Sequence, residues 1–564
     1  MEATQANTQP PSGPCTPVES MREKMLRLCS RHWIEFLLVF VAVTFTVKRM
    51  WFMDDAFIYM RYVDNWVLHG LGLTYNAGEF VEGYTSPLWT LLLSFFRVLG
   101  AGYWYLILSI AIASTLLFSF LAIKVNDAFY EGDRVRINFP LAYLCANYGM
   151  NKCFSSALES PLVLVCAAGM ALYIVRPKSR LALVLTALAP MVRHELILAL
   201  IPVGFYVWHR DRKFPRLLTL LTASPLVAWL CFRVYYYADF FPNTFHLKDT
   251  KSFGRGLAYL SDASSTYLLP FVLFLFAYLM IQTGYKKKLP ERLVMLLSAA
   301  TLAAYVVRVG GDYNHFRLLS TPFILATFAC GGILEALLDG HVGRLRTPLA
   351  VTLLVGVIGF IGRIDISKEN GLFGDVERYW MWEPELKQHK IRLRDRQAQS
   401  FGKGPQEKVF VHGSCFLGFR HSNSMMIHRF GLTDPILARL DGVPSEYAGH
   451  HWRMLRPATD LKYIYIDHLS PRRVRPFTMG KIRHTGKPGR IRSATEKRLL
   501  PGWIRRNVED LELIERKTYN KHDFLENIKL AFQFPRIEYQ APSDIQSKKT
   551  KASKTLGRRH PSDG

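Results

Sequence analysis

The sequence predicts a polytopic α-helical membrane protein of about eleven spans, followed by a C-terminal extracytoplasmic α/β domain. Three observations predict it. Of 564 residues, 50 % are hydrophobic, and they fall in long clustered runs rather than in the dispersed pattern of one soluble core. Segments rich in Lys and Arg recur between those runs, as cytoplasmic loops do. The formal charge of +26 is also uneven, because residues 364–564 carry 38 Lys and Arg against 23 Asp and Glu, a local +15.

Residues 1–32 are polar and end in MREKMLRLCSRHW. They lack a small-residue cleavage site and read as a cytoplasmic tail entering a retained first span. Apolar runs lie near 33–50, 103–124, 137–150, 158–175, 181–208, 215–237, 266–283, 293–308, 317–338 and 347–363, several of them short of the ~20 residues that a spanning helix needs. The segments MREKMLRLCSR, EGDRVR, RPKSR, HRDRKFPR, YKKKLPER and GHVGRLR belong on the cytoplasmic side. Parity then makes 181–208 a hairpin of two short spans with its tip near Pro190 to Glu195. It also makes Ser86 to Leu99 an interfacial helix rather than a span. The eight cysteines have no paired spacing of a zinc or redox site and read as membrane-core packing residues.

This topology gathers Asp54, Asp55, Glu159, Arg193, His194, Glu195, Lys248, Asp312, His315 and Arg317 on the extracytoplasmic face, near span ends. Any one of them can be a loop charge at a wet interface. As a set they mix both signs within apolar flanks, which invites a chemical role. In MDDAFIYMRYVDNWVLHG the spacing predicts a helix along the surface, with Asp54, Ile58, Arg61 and Asn65 on one side and Asp55, Tyr59 and Tyr62 on the adjacent one. Adjacent acids at its start can act as a general base on an attacking hydroxyl, ligate a hard divalent cation, or cap the helix. Arg193, Lys248 and Arg317 have the character to hold a phosphate; singly, each can instead anchor to lipid headgroups. Together these groups suit attack on a carbon joined to a phosphate leaving group.

The string DDAFIYMRYVDNWVLHGLGLTYNAGEFVEGYTSPLW closely resembles the first extracytoplasmic loop of the C-type glycosyltransferase superfamily, in the branch of the mycobacterial terminal β-(1→2)-arabinofuranosyltransferases and their bacterial relatives. ALESPL, RVYYYADFFPNTFHLK, GGDYNHFRLLSTP and FGLTDPILAR with AGHHW resemble further family elements in the same order, so the likeness runs from about Trp51 to Trp452. It implies the C-type fold and transfer of a sugar, a pentofuranose such as arabinofuranose, from a polyprenyl phosphate donor. The acceptor it implies is an envelope glycan or surface protein, and the place is the outer face of the bacterial inner (plasma) membrane. On this resemblance Asp54 or Asp55 is catalytic. Arg193, Lys248 and Arg317 bind the donor phosphate, and Glu82, Tyr84, His194, Asp312 and His315 contact substrate. Asp55 and Glu159 hold a divalent cation (Mg, Mn or Ca). VRHE departs from the family pattern of Arg-Pro followed by an acid and Gly: Arg193 is retained while His194 and Glu195 are new at that point, so different donor-sugar contacts are expected there.

The domains expected are a tail at 1–32, a membrane glycosyltransferase domain at 33–363 with a catalytic loop at 51–102, a soluble domain at 364–540 and a basic tail at 541–564. In the soluble domain EKVFVHGSCFLGF and LKYIYIDHL resemble strands, with helix around EKRLLPGWIRRNVEDLELIERK. Its charge suits membrane lipid, an acidic glycan or a phosphorylated polymer rather than nucleic acid, since an odd number of spans puts it outside the cytoplasm. The alternatives are a transporter or flippase for a lipid-linked glycan, which needs ionisable residues near mid-span and broken helices, and an inactive scaffold subunit.

Overall fold

The structure is a computed structural model, and it describes residues 21–130, 135–247, 253–283, 286–312, 316–335, 409–412, 415–420, 425–428, 430–440 and 507–537. The described chain is mostly helical. In order come α1 (Met21–Lys48), α2 (Ala56–Val67), α3 (Pro87–Val98), α4 (Tyr103–Phe129), α5 (Phe139–Ala146), α6 (Tyr148–Phe154), α7 (Ser160–Val175), α8 (Arg180–Val192) and α9 (Leu196–Asp211). They are followed by α10 (Arg216–Tyr237), α11 (Asn243–Leu247), α12 (Phe253–Thr266), α13 (Leu269–Thr283), α14 (Leu289–Arg308) and α15 (Ser320–Phe328).

Among the described residues, four helical segments are long and apolar enough to cross a membrane: Cys29–Lys48, Tyr103–Phe129, Arg216–Tyr237 and Leu289–Arg308. Their outer surfaces agree with that reading: Phe40 on α1, Leu116 and Phe120 on α4, Leu220 and Val227 on α10 and Leu293 on α14 stand exposed, a spread of large apolar side chains that water would penalise and a bilayer covers.

Local chemistry explains the breaks. The run at 137–150 forms two short helices rather than one, because Asn147 ends α5 and its side chain caps α6 through the Met150 N–H. Ser86 caps α3, with Pro87 in its first turn. The run at 181–208 is also two helices, α8 and α9, separated at Arg193 to Glu195 just after Pro190. Of the described cysteines, Cys145, Cys153, Cys166, Cys330 and Cys415 are buried, while Cys29 and Cys231 are exposed. The run at 347–363 and the tails at 1–20 and 541–564 lie outside the described residues.

Two apolar clusters organise the molecule. One joins α4, α7, α8, α14 and α15 within the helical body. The other is built on Trp51, Phe57, Tyr62, Tyr75, Tyr84, Trp89 and Trp229 at the ends of the helices, and it includes Cys415 and Met426 from the C-terminal region. That second cluster overturns one expectation. Helix α2 does not lie along a surface, because Ala56 to Asn65 are all buried beneath the segment Cys415–Arg420. The guanidinium of Arg61 donates to the carbonyls of Tyr75 and Gly418, so an apparent surface charge is an internal brace.

In the C-terminal region, β1 (Val409–His412) pairs in parallel with β2 (Met425–His428), with the helix Cys415–Arg420 between them. The second half of the expected strand in EKVFVHGSCFLGF is therefore helical, for the reason given by its cap below. A further helix, Val508–Thr518, lies where helix is expected, and LKYIYIDHL is outside the described residues. The first loop touches this region closely at Gly83, where an added Cβ would stand 2.7 Å from Thr433 Cγ2 and 3.1 Å from the Leu432 carbonyl oxygen.

Candidate functional site

Helix ends bring those of the predicted residues that are described to one side of the helical body. Residues 51–53 run beside 155–156, where the Trp51 N–H donates to the Ser155 carbonyl (2.9 Å) and the Met53 N–H to that of Ser156 (3.1 Å). This stitching sets the start of the first loop beside Glu159, at the head of α7. Arg193, His194 and Glu195 arrive at the α8–α9 break, Asp312 follows α14, and Arg317 precedes α15. Opposite helix ends carry described basic residues such as Lys288, which donates to the Val175 carbonyl at 3.1 Å.

The adjacent acids Asp54 and Asp55 have different surroundings. Asp54 accepts from the backbone N–H groups of Cys415 (2.9 Å) and Phe416 (3.1 Å), so it caps the helix Cys415–Arg420 from another part of the chain. Asp55 occupies the N-cap position of its own helix yet makes no capping hydrogen bond. It stands 3.4 Å from Nη1 of Arg317.

Arg317 is gripped by Asp312 through Nε (2.5 Å) and Nη2 (3.1 Å), a two-bond fork that fixes the plane of the guanidinium. Arg193 pairs with Glu195 and lies 4.0 Å from Glu159. Burial works against the Arg193 charge, but Glu195 and Glu159 outweigh it and hold the group above its ordinary value. The side chain of Asp55 is 26 % exposed, against 19 % for Glu195 and 7 % for each of Asp312 and Glu159, so Asp55 is the most exposed of these four acids.

The substrate-contact candidates form a second layer. Glu82 is wholly internal and takes both Nε (2.5 Å) and Nη2 (3.2 Å) of Arg233, whose Nη2 also lies 3.3 Å from Nε2 of His194. Burial and the neighbouring Arg233 push His194 down to about 4, so it is neutral at physiological pH. Tyr84 is buried with its hydroxyl 3.0 Å from that of Tyr237. Lys248 and His315 lie outside the described residues.

Asp55 and Glu159 each face an arginine, and among the described residues no three His, Cys, Asp or Glu side chains converge to hold a metal ion. A hard divalent cation seeks about six oxygen ligands. Carboxylates already opposed by guanidinium groups do not fit that need.

Sequence reasoning missed Arg233, the partner of Glu82, and the contact between two of the quoted motifs. Asn243 of DFFPNTF donates through Nδ2 to the carbonyls of Gly431 (2.8 Å), Leu432 (3.1 Å) and Asp434 (3.1 Å) in FGLTDPILAR. Asp239 of the first motif accepts from Arg439 of the second at 2.8 Å, and from Lys517 at 3.2 Å. Arg233 did carry a signal, as an ionisable residue inside an apolar run.

The fold and cluster together describe a membrane-embedded helical protein with an arginine-rich acidic site at the helix ends. No family model matches the chain, and no solved structure matches it. Among curated proteins it is similar to the terminal beta-(1->2)-arabinofuranosyltransferase of Mycobacterium tuberculosis (strain ATCC 25618 / H37Rv), with 28 % identity over 370 residues, covering 56 % of this chain and 58 % of that protein. The chain thus spans rather more than half the length of this relative, a distant likeness to a glycosyltransferase.

Proposed function

We propose that the chain is an integral-membrane glycosyltransferase that moves a sugar, a pentofuranose such as arabinofuranose, from a polyprenyl phosphate to an envelope glycan or surface-protein acceptor. The reaction takes place on the extracytoplasmic face of the plasma membrane. One observation carries the reading: an accessible carboxylate, Asp55, stands beside a fixed guanidinium, Arg317, at helix ends that flank apolar spans. The likeness to an arabinofuranosyltransferase supports the choice of sugar.

In this mechanism Asp55 takes the proton of the acceptor hydroxyl as its oxygen bonds to the anomeric carbon. The bond from that carbon to the phosphate oxygen breaks, and its electron pair leaves with the polyprenyl phosphate. Arg317 and Arg193, together with Lys248 on the sequence-based expectation, stabilise the charge that develops there, where lipid excludes water. Asp312 keeps the Arg317 fork aimed, Glu159 and Glu195 hold Arg193, and Asp54 positions the C-terminal segment over the loop.

The test is mass analysis of envelope glycans and surface proteins from a strain lacking the gene. The expected result is loss of one terminal sugar, restored by the wild-type chain. Loss of the whole glycan from the envelope, with its lipid-linked precursor accumulating inside the cell, speaks for a flippase instead.

A further inference from the structure

We propose that the helix Phe524–Ala531 and the chain just after it form an interfacial membrane anchor, which holds the C-terminal region against the leaflet on the side of the candidate site. The partner is the lipid bilayer itself, engaged through aromatic and aliphatic side chains at headgroup depth. Such an anchor serves any reaction at the site, whether or not a sugar is transferred.

Sequence and packing divide this helix into three faces. Asp523 starts it, its carboxylate accepting from the N–H groups of Leu525 and Glu526. Asn527, Leu530 and Ala531 are buried and face the protein, where Asn527 Nδ2 donates to the Tyr235 carbonyl of α10 at 2.8 Å. Leu525 and Phe532, seven residues apart and hence on one side, point outward at 73 % and 68 % exposure. Glu526 and Lys529 are exposed on a third side, with Glu526 paired to Arg516 at 3.0 Å. The outward apolar face is not isolated. The Phe532 ring meets Phe240 edge-on at 4.8 Å, the Phe534 ring lies 6.2 Å from Phe241, and Phe241 stacks on Phe245 at 4.2 Å. Phe241, Phe245, Phe532 and Phe534 are all exposed, so the rings form one outward apolar patch of the kind that marks an interaction site.

What covers the patch follows from where it lies. Helix α10 is long and apolar enough to span a membrane, and Leu220, Val227, Cys231 and Tyr235 line one exposed face of it. Tyr235, the last of that row, accepts at its carbonyl from Asn527, and Asn520 donates to the carbonyl of Tyr236 at 3.1 Å. The patch therefore continues a surface that lipid already covers, at the end of a span, where aromatic side chains settle between hydrocarbon and water. An amphipathic helix in that position sinks its apolar side about 5–10 Å into the boundary of headgroups and acyl chains. Lys529, one turn on from Leu525, can then extend its ammonium to the headgroups. The chain just before the helix meets the first loop: the Phe80 N–H donates to the Thr518 carbonyl at 2.8 Å, and the Tyr519 hydroxyl to Glu79 at 3.0 Å. Seating the helix in the bilayer thus fixes the C-terminal region on the loop that carries Asp54 and Asp55.

The test places the environment-sensitive fluorophore NBD on Leu525→Cys or Phe532→Cys in the full chain, in a background of Cys15→Ser, Cys29→Ser and Cys231→Ser that leaves only buried cysteines. The protein sits in nanodiscs carrying nitroxide lipids labelled either near the headgroup or deep in the acyl chain, with aqueous iodide as the water-side quencher and Val227→Cys as the span reference. Both labels should emit at shorter wavelength than the dye in water, lose more intensity to the shallow nitroxide than to the deep one, and be shielded from iodide, whereas Val227→Cys should favour the deep nitroxide. Adding Phe532→Glu to Leu525→Cys should abolish the lipid quenching; should that variant unfold, the two single labels decide. Iodide quenching without lipid quenching shows a water-facing helix. Shielding from every quencher shows a second copy or another segment of this chain over the patch, and preference for the deep nitroxide shows a helix within the hydrocarbon. Each of these, or undiminished lipid quenching in a folded Phe532→Glu protein, overturns the anchor.

Discussion

Replacing Asp54 with Ala removes the carboxylate that caps the helix Cys415–Arg420, and the two neighbouring acids then separate by experiment. Asp54 accepts the N–H groups of Cys415 and Phe416 at 2.9 and 3.1 Å. Loss of an N-cap costs about 1 kcal/mol, and charge-assisted bonds raise the figure to roughly 2–3 kcal/mol. Since 1.4 kcal/mol is a factor of ten, amide exchange in a peptide containing Cys415 and Phe416 should speed up between roughly fivefold and a hundredfold. Hydrogen-exchange mass spectrometry of the full chain in nanodiscs reads this directly. Asp55→Asn, which leaves the Asp54 carboxylate and its bonds to Cys415 and Phe416 in place, should leave that exchange unchanged. Faster exchange in Asp55→Asn with none in Asp54→Ala would refute the division of labour between them.

Arg317→Lys keeps the charge but gives up the fork held by Asp312, so sugar transfer should fall roughly tenfold to a hundredfold with little change in melting temperature; a donor titration with purified protein checks this, and an unchanged rate and donor affinity removes Arg317 from the site. His194 is held near a pKa of about 4 when folded, against 6.5 unfolded. The unfolded chain therefore takes up a proton that the folded chain refuses, and stability complete above pH 6.5 is progressively lost as pH falls towards 4. Melting temperatures across that window should show a shallower decline in His194→Gln than in the wild type.

Helices were legible in this sequence wherever an apolar run was long, as at 103–124 and 215–237, because the bilayer solvates a spanning helix whatever packs beside it. The break at Asn147 was harder to see, since a single capping side chain divides an otherwise continuous run. The adjacent acids stood out by position, but their separate surroundings did not. The groups capped by Asp54 lie 361 and 362 residues away, and no local pattern records such a contact. The same distance hid the Asp239, Arg439 and Lys517 cluster, although two of its members fall in motifs that the sequence singled out. Arg61 misled for a related reason: its helical spacing placed it on a surface, but a segment from the C-terminal region covers that face.

The central claim, that Asp55 is the base of a sugar transfer, is tested most directly by the rate at which purified Asp55→Asn protein transfers sugar from a polyprenyl-phosphate donor in nanodiscs, beside wild type. The account predicts a loss of roughly a hundredfold or more, the scale of a missing general base, in a protein that melts and exchanges its Cys415 and Phe416 amides like the wild type. A normal transfer rate in the Asp55→Asn protein would contradict it.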